Sequence, residues 1–141
     1  MIKSILVPID GSDHGRKAVQ YAADIALKYK AMVHVVHIVS PLPDIIQESE
    51  VLEVIQDRGE AFAREILEEA VGEFKKKGVR SFQSTVLHGN PADAIIEFAR
   101  KHGVDMIVMG SRGLSGVTEL LLGSVSTRVC HLADCTCVTV K

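Results

Sequence analysis

Short apolar runs alternate with longer amphipathic segments along the whole chain, and this alternation is its dominant pattern. Runs rich in Ile and Val predict strands over residues 5–9, 32–39, 82–87, 104–109 and 136–140. Apolar positions spaced three and four apart predict helices over residues 15–29, 57–77, 91–103 and 124–133. Asn90 before Pro91 is typical of a helix start, and Gly78 is typical of the position just past a helix end.

Strands that alternate with helices indicate an α/β fold, in which a parallel sheet is covered by helices on both faces in a Rossmann-like arrangement. Right-handed crossovers leave few topologies open for such a sheet. The weakest pattern lies over residues 40–56, where Pro41 and Pro43 predict a loop that can continue into an early helical turn.

Composition narrows the class of protein. A length of 141 residues fits one domain, residues 1–141, and a net charge of −2 gives no reason to expect a nucleic-acid partner. No apolar stretch approaches the roughly 18 residues of a membrane span. The first residues show no signal-peptide pattern. We therefore expect a cytoplasmic protein with no membrane partner.

Glycines follow the fourth predicted strand in a spaced pattern. Gly110 and Gly113 are two residues apart, and nine residues separate Gly113 from Gly123-Ser124. Glycine lets the backbone approach an anion closely, and free N–H groups at a helix start bind phosphate. The pattern predicts a phosphate-binding loop, with a flexible turn before a helix as the alternative. Arg112 fits either a phosphate contact or a solvated loop position.

A second candidate for ligand binding is Asp10, which follows Pro8 and Ile9 at the end of the first predicted strand. Ligands of doubly wound sheets bind at the carboxyl ends of strands, where the winding direction reverses. If the first and fourth strands are neighbours, Asp10 and the Gly110 loop line one crevice. The alternative for Asp10 is a turn or capping residue before the first helix.

These segments resemble the universal stress protein family, in its nucleotide-binding branch. The resemblance covers the whole chain and is carried by residues 5–12, 37–39, 89–91, 105–113 and 123–125. It implies a five-stranded parallel sheet in the order 3-2-1-4-5, ATP bound in the crevice, and homodimers paired through the last strand. Our expected ligand is ATP (or AMP or ADP), with Mg²⁺ at the phosphates. One departure is Thr136, which stands where the family commonly has a proline.

The resemblance also implies roles for individual residues. Asp10 would contact the adenosine part, and Ile38 would offer backbone groups to the adenine edge. Gly110 and Gly113 would approach the ribose and phosphates, while Gly123, Ser124 and Val125 would hold the phosphates. The predicted cofactor-binding set is completed by Pro8, Met109 and Arg112, and it contains no metal ligand and no catalytic residue.

The histidines and cysteines are weaker candidates for a metal or redox site. His34 and His37 lie on opposite faces of one predicted strand, so they cannot share a metal ion without distortion. Cys130, Cys135 and Cys137 lack the spacing of zinc ligands. Core packing is the favoured role for the three cysteines, and a redox or metal role stays open.

The leading functional hypothesis is an ATP-binding regulatory module for a stress response, which switches its contacts with an unidentified protein partner according to the bound nucleotide. The alternative is a slow ATPase or an autophosphorylating phosphotransferase. No lysine follows the glycines, and no carboxylate is plainly placed as a base, since Glu119 can equally be a surface residue. A structural dimer without nucleotide is a third hypothesis, which the glycine pattern disfavours.

Overall fold

The computed structural model describes residues 1–42, 49–113 and 122–141. Within these residues, strands and helices alternate as the sequence pattern predicts. In chain order they are β1 (Ser4–Pro8), α1 (Asp13–Tyr29), β2 (Met32–Val39), α2 (Ser49–Lys77), β3 (Phe82–His88), α3 (Pro91–Lys101), β4 (Met106–Gly110), α4 (Ser124–Leu132) and β5 (Thr136–Val140).

The strands form one parallel sheet in the order β3-β2-β1-β4-β5. This order confirms the predicted topology. β1 lies at the centre, where Ile5 pairs with Val33 of β2 on one side and with Met106 of β4 on the other. The winding direction reverses between β1 and β4, so the carboxyl ends of these two strands flank the switch point of the sheet.

Helices cover both faces of the sheet, because successive side chains of a buried strand point in opposite directions. Ile5 and Val7 of β1 pack into a cluster that contains Phe74 of α2 and the alanines of α1. Leu6 of β1 packs into a second cluster, built on α3 and α4, that contains Val129. The predicted two-faced burial is confirmed.

Helix ends follow the capping residues that the sequence offers. The Asn90 side chain accepts a hydrogen bond from the Asp93 N–H at 3.2 Å, which caps α3. Gly78 has a φ of +91°, the left-handed conformation that glycine allows after a helix. α1 begins at Asp13 and is capped by Ser12, two residues earlier than the periodicity predicts.

The prediction of a loop over residues 40–56 is wrong in its second half, because α2 begins at Ser49 rather than Asp57. Residues 43–48, with Pro43, lie outside the described residues. The first turns of α2 expose apolar side chains, with Val51 43% and Val54 52% exposed. A helix that packs no stripe against the core shows no clear amphipathic period, so the pattern could not reveal it.

The predicted placement of His34 and His37 on opposite faces of β2 is confirmed, and the prediction of core packing for the cysteines holds only in part. The His34 ring lies against Phe98 of α3, and the His37 ring lies against Phe62 of α2, on the opposite face. Cys135 and Cys137 are half-buried against the α3–α4 cluster. Cys130 is exposed, so core packing is wrong for this residue, although it directly follows the buried Val129.

Candidate functional site

A cavity of about 320 Å³ opens at the carboxyl ends of β1, β2 and β4, next to the first turn of α4. The structure brings every residue predicted for the site to its lining: Pro8, Asp10, Ile38, Met109, Gly110, Arg112, Gly113, Gly123, Ser124 and Val125. Segments far apart in sequence thus meet at one crevice, as the switch-point argument predicts. Glu119 and the rest of residues 114–121 lie outside the described residues.

Asp10 forms a turn and also part of the cavity wall. Its Oδ1 accepts a hydrogen bond from the Ser12 N–H at 2.9 Å, which shapes the chain between β1 and α1. Its Oδ2 faces Gly113, where a Cβ atom would lie only 2.7 Å away. The two readings of Asp10 are therefore compatible, since one oxygen organises the turn while the carboxylate lines the cavity.

Gly110 allows β4 to pass closely beneath the start of α1. A Cβ atom at this position would lie 2.9 Å from the backbone N of Gly15 and from the carbonyl carbon of His14. Both atoms belong to the backbone of a helix and cannot rotate away as a side chain would. The end of β4 can lie this close to the first turn of α1 because this glycine has no side chain.

The start of α4 differs from the starts of α1 and α3. The Ser12 hydroxyl accepts from the Gly15 N–H at 3.1 Å at the start of α1, and Asn90 caps α3. The N-cap of α4 is Gly123, which has no side chain to accept a hydrogen bond. Backbone N–H groups at the start of a helix carry partial positive charge and bind anions. The first turn of α4 therefore offers an anion-binding position at the cavity wall.

Ser111, fully buried directly after β4, holds this end of the cavity together. Its N–H donates to the Val140 carbonyl at 2.8 Å, at the end of β5. Its carbonyl accepts from the Gly123 N–H at 2.6 Å and from the Ser126 hydroxyl at 3.0 Å. Its hydroxyl lies 2.9 Å from Nδ1 of His14. One residue thus ties the glycine loop to α1, α4 and β5.

Arg112 supplies the positive charge of the cavity lining among the described residues. Its side chain is half-buried, and the buried Nε has no hydrogen-bond partner within residues 1–42, 49–113 and 122–141. A buried donor without a partner is costly, so such a group favours an acceptor that arrives with a ligand. This environment favours the phosphate-contact reading of Arg112 over a solvated loop position.

His37 and Phe62 line the cavity and were missed by the sequence prediction. Nδ1 of His37 donates to the Ile9 carbonyl at 2.7 Å, which leaves Nε2 as an acceptor in the neutral ring. The Phe62 ring stands edge-on to His37, at 5.6 Å between centroids. Phe62 is 39% exposed although it shares a helix face with buried Phe74, because it lies at the cavity and not over the sheet.

The remaining missed lining residues are Ile9, Ser12, Gly15, Ser40, Pro91, Ile95 and Ser126. Most are sequence neighbours of predicted residues, so the same switch-point argument could have included them. Ile95 and Phe62 come from helices, and their place at the cavity depends on tertiary packing that the sequence pattern does not carry.

Two absences hold for the described part of the chain. No group of three or more His, Cys, Asp or Glu side chains there is arranged to hold a metal ion. Its helices also include none with the length and apolar character needed to cross a membrane.

The fold and the site define a Rossmann-like α/β protein with a crevice at its switch point. The model of the universal stress protein family matches residues 1–141. The chain therefore belongs to the universal stress protein family.

Individual relatives agree with this assignment. The chain is 38% identical over 141 residues to a universal stress protein of Thermus aquaticus, with 100% of both chains covered. The solved universal stress protein UspA from Lactobacillus plantarum has the same fold, with a TM-score of 0.89, 23% identity, and 99% and 97% of the two chains covered. A universal stress protein solved in complex with cAMP has a TM-score of 0.76 and 29% identity, with 99% and 97% covered.

Proposed function

We propose that this chain binds an adenine nucleotide in the cavity and acts as a nucleotide-dependent regulatory module in a stress response. The observation that carries the proposal is the start of α4, where the glycine N-cap makes no side-chain hydrogen bond and Ser124 and Val125 of the first turn line the cavity. An anion of the size of a phosphate chain is the ligand that such a helix start favours.

The cavity lining combines apolar side chains with charged and helix-start groups, which supports a nucleotide as the ligand. Buried apolar side chains of Pro8, Ile38 and Met109 lie towards the strand ends and suit a flat, apolar base. The Arg112 side chain and the α4 start suit the phosphates. Asp10 can accept hydrogen bonds from ribose hydroxyls or from the adenine amino group.

The relative solved with cAMP supports an adenine nucleotide as the class of ligand. A magnesium ion fits the proposal as a companion of the phosphates, because protein-bound Mg²⁺ commonly uses one or two carboxylates together with phosphate oxygens. Because the proposal places Asp10 at the nucleoside, the ion would be held by phosphate oxygens and water. The ion would neutralise phosphate charge.

A binding module is favoured over an enzyme by the groups that line the cavity. Asp10 is the acidic residue of the described lining, and one of its oxygens is already engaged by the Ser12 N–H. His37 is engaged through Nδ1 by the Ile9 carbonyl. His37 Nε2 and Asp10 Oδ2 remain available as acceptors, but no lysine follows the glycines to hold a phosphate for transfer, so binding is the function that the described groups support best.

Calorimetry on the purified chain, with ATP, ADP, AMP and cAMP titrated separately, tests the proposal. We expect binding by the wild type and loss of binding by Gly113→Val, because the added side chain would collide with the Asp10 carboxylate and fill the loop. Gly72→Val is the matched control, since a Cβ there meets nothing within 4 Å.

Mass spectrometry of small molecules released on denaturation would identify any nucleotide that copurifies. A wild-type chain that binds none of the four nucleotides would contradict the proposed ligand. Equal affinity in Gly113→Val and wild type would contradict the assignment of the glycine loop.

A further inference from the structure

His37 brings an imidazole ring to the β2 end of the candidate nucleotide cavity. Its Nδ1 lies 2.7 Å from the Ile9 carbonyl oxygen, which can only accept a hydrogen bond, so Nδ1 carries the ring hydrogen. The neutral ring then has its lone pair on Nε2. Within the part of the chain that the structure describes, no group bonds to Nε2. The cavity lining therefore includes a nitrogen acceptor that a ligand can use.

The residues around His37 fix the orientation of its ring. Phe62 of α2 stands edge-on to it, at 5.6 Å between centroids and 80° between the ring planes. The Phe62 ring in turn lies against the turn after β1, since a Cβ on Gly11 would be 2.8 Å from its Cζ atom. A side chain that is already held in place loses little freedom on binding, so its hydrogen bond can distinguish one ligand from another.

The order of the strands separates His37 from the groups proposed for phosphate binding. β1 lies between β2 and β4, and neighbouring strands are about 4.8 Å apart, so the ends of β2 and β4 stand about 10 Å from each other. Arg112 follows β4, and Gly123 at the start of α4 donates to the Ser111 carbonyl on the same side. Asp10 follows β1, between the two sides. The ribose of a nucleotide likewise separates the base from the 5′ phosphates, so phosphates at α4 would direct the base towards His37.

We infer that His37 selects the base of the bound nucleotide, because Nε2 accepts a hydrogen bond from the exocyclic amino group of adenine. This inference rests on the proposed function and assigns a side chain to the recognition of the base. Hypoxanthine and guanine carry a carbonyl oxygen at the same ring position, so they would place a second acceptor opposite Nε2. Two acceptors that face each other share no hydrogen and both lose contact with water, which weakens binding. Asp10 is then left to accept hydrogen bonds from the ribose hydroxyls.

Separate calorimetric titrations of the full chain with ATP and with inosine triphosphate (ITP) test the inference. ITP carries hypoxanthine in place of adenine and has the same ribose and phosphates as ATP. We expect the wild type to bind ATP at least about tenfold more tightly than ITP, which corresponds to about 1.4 kcal/mol.

The variant His37→Phe removes the acceptor and keeps a ring of similar size next to Phe62. We expect it to bind ATP and ITP with equal affinity. Loss of the hydrogen bond to the Ile9 carbonyl weakens both nucleotides alike, so the ratio of the two affinities separates base recognition from a structural role. His34→Phe is the matched control, because His34 lies on the opposite face of β2 against Phe98, and it should keep the wild-type ratio.

The variant Asp10→Ala distinguishes the two acceptors of the cavity. We expect it to weaken ATP and ITP by the same factor and to keep the wild-type ratio, because both ligands carry the same ribose. A ratio that collapses in Asp10→Ala instead would assign the amino group to Asp10 and overturn the inference.

The remaining outcomes separate this inference from the proposed function. A wild type that binds neither nucleotide would contradict the proposed function itself. Equal affinity of the wild type for ATP and ITP, or an unchanged preference in His37→Phe, would overturn the role of His37 and leave nucleotide binding intact. If His37→Phe does not fold by circular dichroism, nitrogen-15 NMR of the wild type decides the question. The Nε2 signal of His37 should then shift more with ATP than with ITP, and equal shifts would overturn the inference.

Discussion

Replacing Gly110 with alanine tests the claim that close packing between β4 and α1 builds the candidate cavity. The new Cβ would lie 2.9 Å from two backbone atoms of α1, closer than real Cβ atoms approach. Overpacking of this kind costs about 1–3 kcal/mol. Because the contacting atoms are backbone, the strand and the helix must separate, and we expect a cost of about 2 kcal/mol in the free energy of unfolding.

The expected change is large enough to measure by melting. Unfolding entropy is about 2.1 cal/mol/K per residue, so over 141 residues a cost of about 2 kcal/mol lowers Tm by about 7 °C. Urea titration should show the same loss as a lower midpoint with an unchanged slope. Nucleotide affinity should fall as well, since the Asp10 turn moves away from the glycine loop.

Gly72→Ala in α2 is the matched control. A Cβ at this position meets nothing within 4 Å, and alanine in a helix interior is more favourable than glycine by about 0.5–1 kcal/mol. We expect this variant to be slightly more stable than the wild type. The reasoning is refuted if Gly110→Ala unfolds at the same urea concentration as the wild type, because β4 and α1 would then have room for a methyl group.

Three further predictions concern the ligand, pH and assembly. Asp10→Ala should weaken ATP, ADP and AMP alike by roughly ten- to a hundredfold in calorimetry, because a hydrogen bond to a charged group contributes about 1.5–3 kcal/mol; a loss confined to ATP would place Asp10 at the phosphates. Burial and the nearby His102 lower the pKa of His34, so the unfolded chain binds the proton more readily than the folded chain. Stability should therefore fall as pH drops below about 6.5, the pKa of histidine in the unfolded chain. Urea midpoints at several pH values should fall less for His34→Leu than for the wild type, and an equal fall would contradict the role of His34. Light scattering should give a homodimer paired through the exposed edge strand β5, and a monomer would contradict it.

The sheet and most helix positions could be predicted because periodicity and capping residues agree along the chain. Strands buried on both faces give continuous apolar runs, and Asn90 and Gly78 mark helix ends by local chemistry. The early start of α2 could not be predicted in the same way, because Val51 and Val54 face solvent and leave no one-sided stripe. A periodic apolar pattern arises where one face of a helix is buried, and the first turns of α2 bury little apolar surface.

The sequence was sufficient to predict those residues of the candidate site whose backbone forms the cavity wall. Gly110, Gly113 and Gly123 could be named because glycine allows the backbone to approach a ligand or a neighbouring segment closely. Asp10 could be named because it follows a strand at the switch point. Phe62 carries no such mark, since an aromatic residue on a helix stripe reads as core. Only the packing of α2 against β2 brings its ring to His37.

The hydrogen bond from the Ser111 N–H to the Val140 carbonyl makes the end of β5 a structural part of the site. Lys141 continues the same arrangement, since its carbonyl lies 3.4 Å from Nζ of Lys17 on α1. Deleting residues from this end would release the peptide from which the glycine loop departs. A change that displaces β5 at Val140 is therefore expected to reach the glycine loop as well.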